Sequence, residues 1–155
     1  MKINKDIVTL FKKQGFVIVS TLDSNGHIHC AAKGIVGIED EGRVFIIDLY
    51  HGNTSANLKV NPTVSITAID EPTFEGYTCK GKAKFIQRDE AGTHIIKEWE
   101  DKVIERISNR VIRGVKDKKN IHHPESQLPH PKYFIEIDVE EIVDLTPAHL
   151  KPPTK

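Results

Sequence analysis

Apolar and polar positions follow two rhythms along this chain. After Asn4, a residue suited to a helix start, Ile7, Leu10 and Phe11 recur at helical spacing, and Gly15 offers an end. FVIVSTL is apolar on much of both faces and predicts a strand. Asn25-Gly26, inside DSNG, suits the positive φ of a hairpin turn, so HIHCAAKGIVGI is expected to return as a second strand. Gly34 and Gly37 within it predict a bend, a bulge or close approach of something to the backbone. EDEG marks another turn, RVFIIDLY a third strand, TVSITAI a fourth and YTCKGKAKFI a fifth. In the fifth, Tyr77, Cys79, Gly81, Ala83 and Phe85 share one face, and Lys80, Lys82 and Lys84 the other. Ile95, Trp99, Val103 and Ile107 step by four, with Ile96 and Ile104 beside them, which predicts a long amphipathic helix from about Glu90 to about Arg113. KDKKNIHHPESQLPHP is a polar, proline-containing loop, KYFIEIDVEEIVDL a last strand, and TPAHLKPPTK a frayed tail.

Strands joined by short turns pair antiparallel. Five or six of them with few helices fit a small closed or half-closed barrel, which the last strand can close. The 155 residues suit one domain, and no internal repeat or linker divides them. Charged residues make up 28% and balance to zero, so neither nucleic acid nor an anionic membrane is called for as partner. The apolar runs are too short to span a bilayer, and the charged amphipathic start MKINKDIVTLFKKQG does not read as a signal peptide. Cys30 and Cys79 form no CxxC pair and are expected as free buried thiols in a reducing, cytoplasmic setting.

Candidate chemistry centres on LYHGNTSANLKVNP, residues 49–62. A helix start has unpaired N–H groups and partial positive charge, and it binds phosphate readily. Gly52 permits close approach, and Asn53, Thr54 and Ser55 can add side-chain donors. The ordinary alternative is that Asn53 or Thr54 simply caps the helix. No P-loop pattern is present. His27 and His29, or His122, His123 and His130, could offer metal ligands, but without HExxH, paired Cys or a telling acid they read as ordinary histidines. Cys30 and Ser20 lack the context of a nucleophile. Trp99 reads as a packing residue on the apolar stripe of its helix.

The order of helix, hairpin with TLDSNGHIH, strand RVFIIDL, polar loop and SANLKVNPTVSITAI resembles the FMN-binding split-barrel family related to pyridoxamine 5′-phosphate oxidase. The likeness runs from about residue 5 to 86 and continues more weakly beyond; ANLKVNPTVSI is its most specific piece. It implies a mainly β fold, a six- or seven-stranded antiparallel split barrel with peripheral helices. It implies a homodimer with FMN near the subunit interface. The phosphate would lie on Asn53, Thr54 and Ser55. The ring would run along Cys30, Ala31, Ala32 and Lys33, then Asp48, Leu49 and Tyr50. Small Ala31 and Ala32 leave room for it, and Lys33 near the pyrimidine edge would favour reduced flavin. HGNTSANL departs from the family in lacking Lys or Arg, a charge that Lys80, Lys82 or Lys84 could supply. The implied activity is an FMN-dependent oxidoreductase acting on a small substrate. No side chain announces itself as catalytic, and Lys33 and Tyr50 are the first to test. A non-catalytic flavin- or haem-binding module and a deazaflavin-dependent reductase are the alternatives. Trp99 could also close over a partner's flavin. Pyridoxamine phosphate oxidase activity itself is not expected, because DLTPAHLKPPTK lacks a recognisable Arg and His pattern for that substrate.

Overall fold

A computed structural model describes residues 1–49, 51–117 and 131–151. Tyr50, the loop histidines His122, His123 and His130, and most of the polar loop lie outside the described residues. The elements are α1 (Lys5–Lys13), β1 (Val17–Leu22), β2 (Ile28–Ile38), β3 (Arg43–Ile47), α2 (Asn53–Val60), β4 (Thr63–Asp70), β5 (Glu75–Gln87), α3 (Gly92–Asp117) and β6 (Tyr133–Asp144). The strands close a six-stranded barrel in the order β1-β2-β3-β6-β5-β4, every pair antiparallel. The last strand enters between β3 and β5 and completes the ring. No helix among the described residues is long and apolar enough to cross a membrane.

Two apolar layers hold this frame. The inner one joins Val19, Ile35, Ile46, Ile66, Cys79 and Ile137 to Ile7, Leu10 and Phe11 of α1 and Leu58 of α2. Asn4 Oδ1 accepts from the Asp6 amide, so α1 starts at the expected cap. The outer layer joins Val36, Phe45, Ile47 and Phe134 to Ile95 and Trp99 of α3. Val44 through Ile47 are therefore buried on both faces of β3, which explains the unbroken apolar run. Burial pushes the Cys79 thiol up to about 12. Cys30, expected buried, is exposed: it lies on the outward side of β2, where no apolar layer covers it.

Both glycines in β2 have a use. The β2–β3 register shifts between Ile35 and Gly37 as a bulge. At Gly37 α3 comes so close that a Cβ would stand 2.7 Å from Glu98 Oε2 and 3.2 Å from Ile95 Cδ1. At Gly34 nothing lies within 4 Å. Gly81 is tighter still: a Cβ there would meet the Asp138 carbonyl oxygen of β6 at 1.9 Å. Gly81→Ala is expected to lower unfolding free energy by about 3 kcal/mol, since backbone must move, while Gly34→Ala changes it by less than about 1 kcal/mol; urea unfolding compares the two.

One end of the barrel is polar. The register Gly34↔Ile47 sets Lys33 opposite Asp48, and Lys33 Nζ donates to Asp48 Oδ1 at 2.8 Å. Asp48 is 1% exposed. Burial alone would raise its carboxyl, but hydrogen bonds from Lys33 and Ser55 prevail and hold it below the ordinary carboxylate range. Since the folded value lies below the unfolded one, ionised Asp48 adds stability that is complete above about pH 4 and disappears as pH falls through the folded value. Asp48→Asn is expected to cost about 3 kcal/mol at neutral pH, because Lys33 would keep a poorly hydrated charge, and to flatten the acid limb of stability. Thermal melts between neutral pH and about pH 2 check both effects.

Candidate functional site

Beyond Ile47 the chain leaves the barrel wall through Asp48 and Leu49 and reaches His51, whose φ of 51° is left-handed. Gly52 is the N-cap of α2 and brings no side chain to the task. The expectation that Asn53 or Thr54 caps this helix is thus corrected: both lie inside its first turn. The reason is anchoring farther along. Leu58 is in the core, and Asn57 Nδ2 donates to Thr21 Oγ1 of β1 at 3.0 Å. Asn61 Oδ1 then accepts from the Thr63 amide at 3.0 Å, and the Pro62 carbonyl accepts from the Ala83 amide. The ANLKVNP pattern therefore locks α2 to the barrel, and this phase sends Thr54 inward.

The first backbone bond into the helix start runs from the Ala56 amide to Gly52 oxygen, 3.1 Å. The amides of Asn53, Thr54 and Ser55 are the ones a helix start leaves open. Thr54 is 1% exposed, and its hydroxyl has no partner among the described residues. Such a buried orphan costs about 1–3 kcal/mol. The donor set fits a phosphate group. Ser55 differs, because its Oγ donates to Asp48 Oδ2 at 2.9 Å and lies 2.5 Å from the Tyr133 hydroxyl. It can offer an anion its amide but not its hydroxyl proton. Tyr133 in turn lies 2.6 Å from His51 Nδ1.

Linked to this turn through the Lys33–Asp48–Ser55 hydrogen bonds, a cleft of about 220 Å³ lies where α3 crosses the outer side of β2 and β3. Ala32, Gly34, Ile47 and Leu49 form its β side, and Trp99 and Val103 its helical side. Lys33, Lys102 and Arg106 also line it, and among the described residues no acidic side chain does. Lys102 Nζ donates to the Ile35 carbonyl at 3.2 Å, and burial holds its ammonium below the ordinary lysine range. The Arg106 guanidinium reaches the Gly15 carbonyl. Arg88 stands over the Trp99 ring, 5.8 Å from its centroid.

The residues anticipated from sequence divide between cleft and barrel mouth. Ala32 and Leu49 line the cleft, and Lys33 lines it while paired to Asp48. Cys30 lies on the same outward side, its Sγ 3.3 Å from Ser20 Oγ. Ala31 pairs with fully buried Val19 and so faces the interior. Asp48 is buried at the mouth; Asn53, Thr54 and Ser55 form the open turn. Lys80 pairs with Glu141, Lys84 with Glu136, and Lys82 donates to Thr63, so these lysines are engaged along the barrel wall. Among the described residues no group of three His, Cys, Asp or Glu side chains gathers as a metal site would. Sequence reading missed His51, Tyr133, Lys102 and Arg106. The last two had a signal: Trp99, Lys102, Val103 and Arg106 step by three, four and seven along one helix face.

Many solved structures share this fold, among them the following three. HupZ of Group A Streptococcus is 19% identical over 93% of this chain and 94% of its own, with a TM-score of 0.63. An FMN-binding protein from Syntrophomonas wolfei subsp. wolfei is 15% identical, over 89% and 82%, TM-score 0.62. An F420 reductase is 14% identical, over 91% and 98%, TM-score 0.59. No curated protein sequence matches. The sequence profile of the pyridoxamine 5′-phosphate oxidase family matches residues 3–145, nearly the whole barrel and both helices of the site, and the chain belongs to that family.

Proposed function

We propose that this protein binds FMN and passes electrons through it to a small substrate. The observation that carries the reading is the open first turn of α2, with its buried unpartnered Thr54 hydroxyl, linked through Ser55, Asp48 and Lys33 to an apolar cleft. Phosphate would be held by the amides of Asn53, Thr54 and Ser55 and by the Thr54 hydroxyl. The ring would lie along the backbone of Cys30, Ala31, Ala32 and Lys33 and of Asp48, Leu49 and Tyr50. Family membership and the FMN-binding neighbour support a flavin as the ligand.

FMN, when bound, supplies the two-electron chemistry of its ring. The chain's own part is to bind, orient and exclude water. Ile47, Leu49 and Trp99 give the cleft apolar walls. Lys33 reaches it as half of an ion pair, so its influence on a reduced ring is weaker than that of a free cation. Lys102 and Arg106 favour a substrate with an anionic group. A second copy of the chain would cover the outward side of β1 and β2, where Phe16, Ile18 and Ile28 are exposed, and complete the FMN site as a homodimer. The F420 reductase among the neighbours makes a deazaflavin the second ligand to titrate.

The visible spectrum of the purified protein, mixed with FMN and desalted, tests the reading. Flavin bands are expected to remain with the wild type. Thr54→Asp sets like charges together and is expected to weaken FMN at least about a hundredfold. Thr54→Val is the control for folding: it removes the orphan hydroxyl, so the free protein is expected to gain about 1 kcal/mol while FMN binds about tenfold more weakly. A wild type that stays colourless at saturating FMN sinks the flavin reading. Bleaching of the bound flavin by a nicotinamide donor, followed by reoxidation, separates an enzyme from a binding module.

A further inference from the structure

The hydrogen-bond chain behind the loop has only one consistent direction. Asp48, ion-paired to Lys33, accepts. The single proton of Ser55 goes to Asp48 Oδ2 at 2.9 Å. The Tyr133 hydroxyl, 2.5 Å from Ser55 Oγ, must therefore donate to it. His51 Nδ1, 2.6 Å from the Tyr133 oxygen, must then be the donor there. Nδ1 thus carries the hydrogen of the neutral ring, which leaves Nε2 as its open nitrogen. Nε2 has no partner among the described residues, and His51 is exposed.

The ring is also fixed in place. It meets Tyr133 edge-on, 4.6 Å between centroids at 63°, and Tyr133 packs edge-on against Phe85 at 5.1 Å. The left-handed backbone at His51, φ 51°, sets the ring one residue before Gly52, the cap of α2. Tyr133 from β6 faces it, Asp48 stands behind from the end of β3, and Lys33 of β2 offsets Asp48. The first turn of α2 has no charged side chain, its first basic residue being Lys59.

We propose that His51 is the cationic contact of the anion site, so that protonation of Nε2 governs how tightly the loop holds a phosphate. The proposal rests on the FMN reading above. A protonated Nε2 donates to phosphate oxygen as a charge-assisted bond; a neutral one turns a lone pair toward it. Retention of the ligand then depends on the charge state of this ring.

FMN fluorescence titrations between about pH 5.5 and 8.5 test this. The phosphate of FMN loses its second proton near about pH 6, which by itself strengthens binding as pH rises. The quantity to follow is therefore the ratio of wild-type to His51→Gln affinity. It is expected to be about tenfold at the acid end and to approach unity at the alkaline end. His51→Lys is expected to keep tight binding throughout. Riboflavin, which lacks the phosphate, should show no ratio that moves with pH. A constant FMN ratio overturns the role of His51 and leaves the FMN site standing. Failure of the wild type to bind FMN at every pH removes the site and this inference with it.

Discussion

The arrangement of the site depends on one buried carboxylate. Asp48 is the first residue past β3, and its side chain is sealed from solvent. A carboxylate buried alone would cost several kcal/mol, a large share of the total stability of about 5–15 kcal/mol that domains have. It is tolerated because donors converge on it: Lys33 from β2, Ser55 from α2 and, through Ser55, Tyr133 from β6. Each partner comes from a different element. Their meeting fixes how far α2 reaches over the barrel mouth and where its first turn opens.

The same economy of position governs the cleft. α3 comes down against β2 because Gly37 offers no side chain to hold it off, and the bulge there alters the pleat of β2. Gly34, three residues earlier, leaves open space instead. One strand thus carries a contact point and a hollow within four residues. Leu49 lines the hollow, and Asp48, one residue before it, is tied to the open turn of α2 through Ser55.

Much of this frame was legible in the sequence. The period of two in β5, the doubly apolar β3, the Asn-Gly turn and the four-step stripe of α3 are local signals, and each marks its element. What failed were details that local patterns cannot hold. By residue type Asn53 outranks Gly52 as a cap, yet anchoring of Asn57 and Leu58 to the barrel moves the helix start back one position. Cys30 sits in a strand that reads as apolar, but exposure depends on which side α3 and α1 cover. The chain from His51 to Tyr133 spans 82 residues, and that from Ser55 to Tyr133 spans 78. Those meetings follow from β6 closing the barrel beside β3, a register no local window contains.

Three departures from ordinary local preference fall within seven residues. Asp48 is a buried charge, His51 holds a left-handed backbone, and Thr54 buries a hydroxyl without a partner. Outside this loop Phe74 also holds a left-handed backbone, φ 57°. Each departure has an easy local remedy: an apolar residue at 48, glycine at 51, valine at 54. Each remedy would also remove something a phosphate site uses, whether the frame that orients Lys33 and Ser55, the imidazole, or a buried donor. Strain of this kind persists only where the surroundings over-determine it, and here the barrel mouth does so through the hydrogen bonds that converge on Asp48. A helix cap alone would need none of these costs, and this loop combines three of them within seven residues.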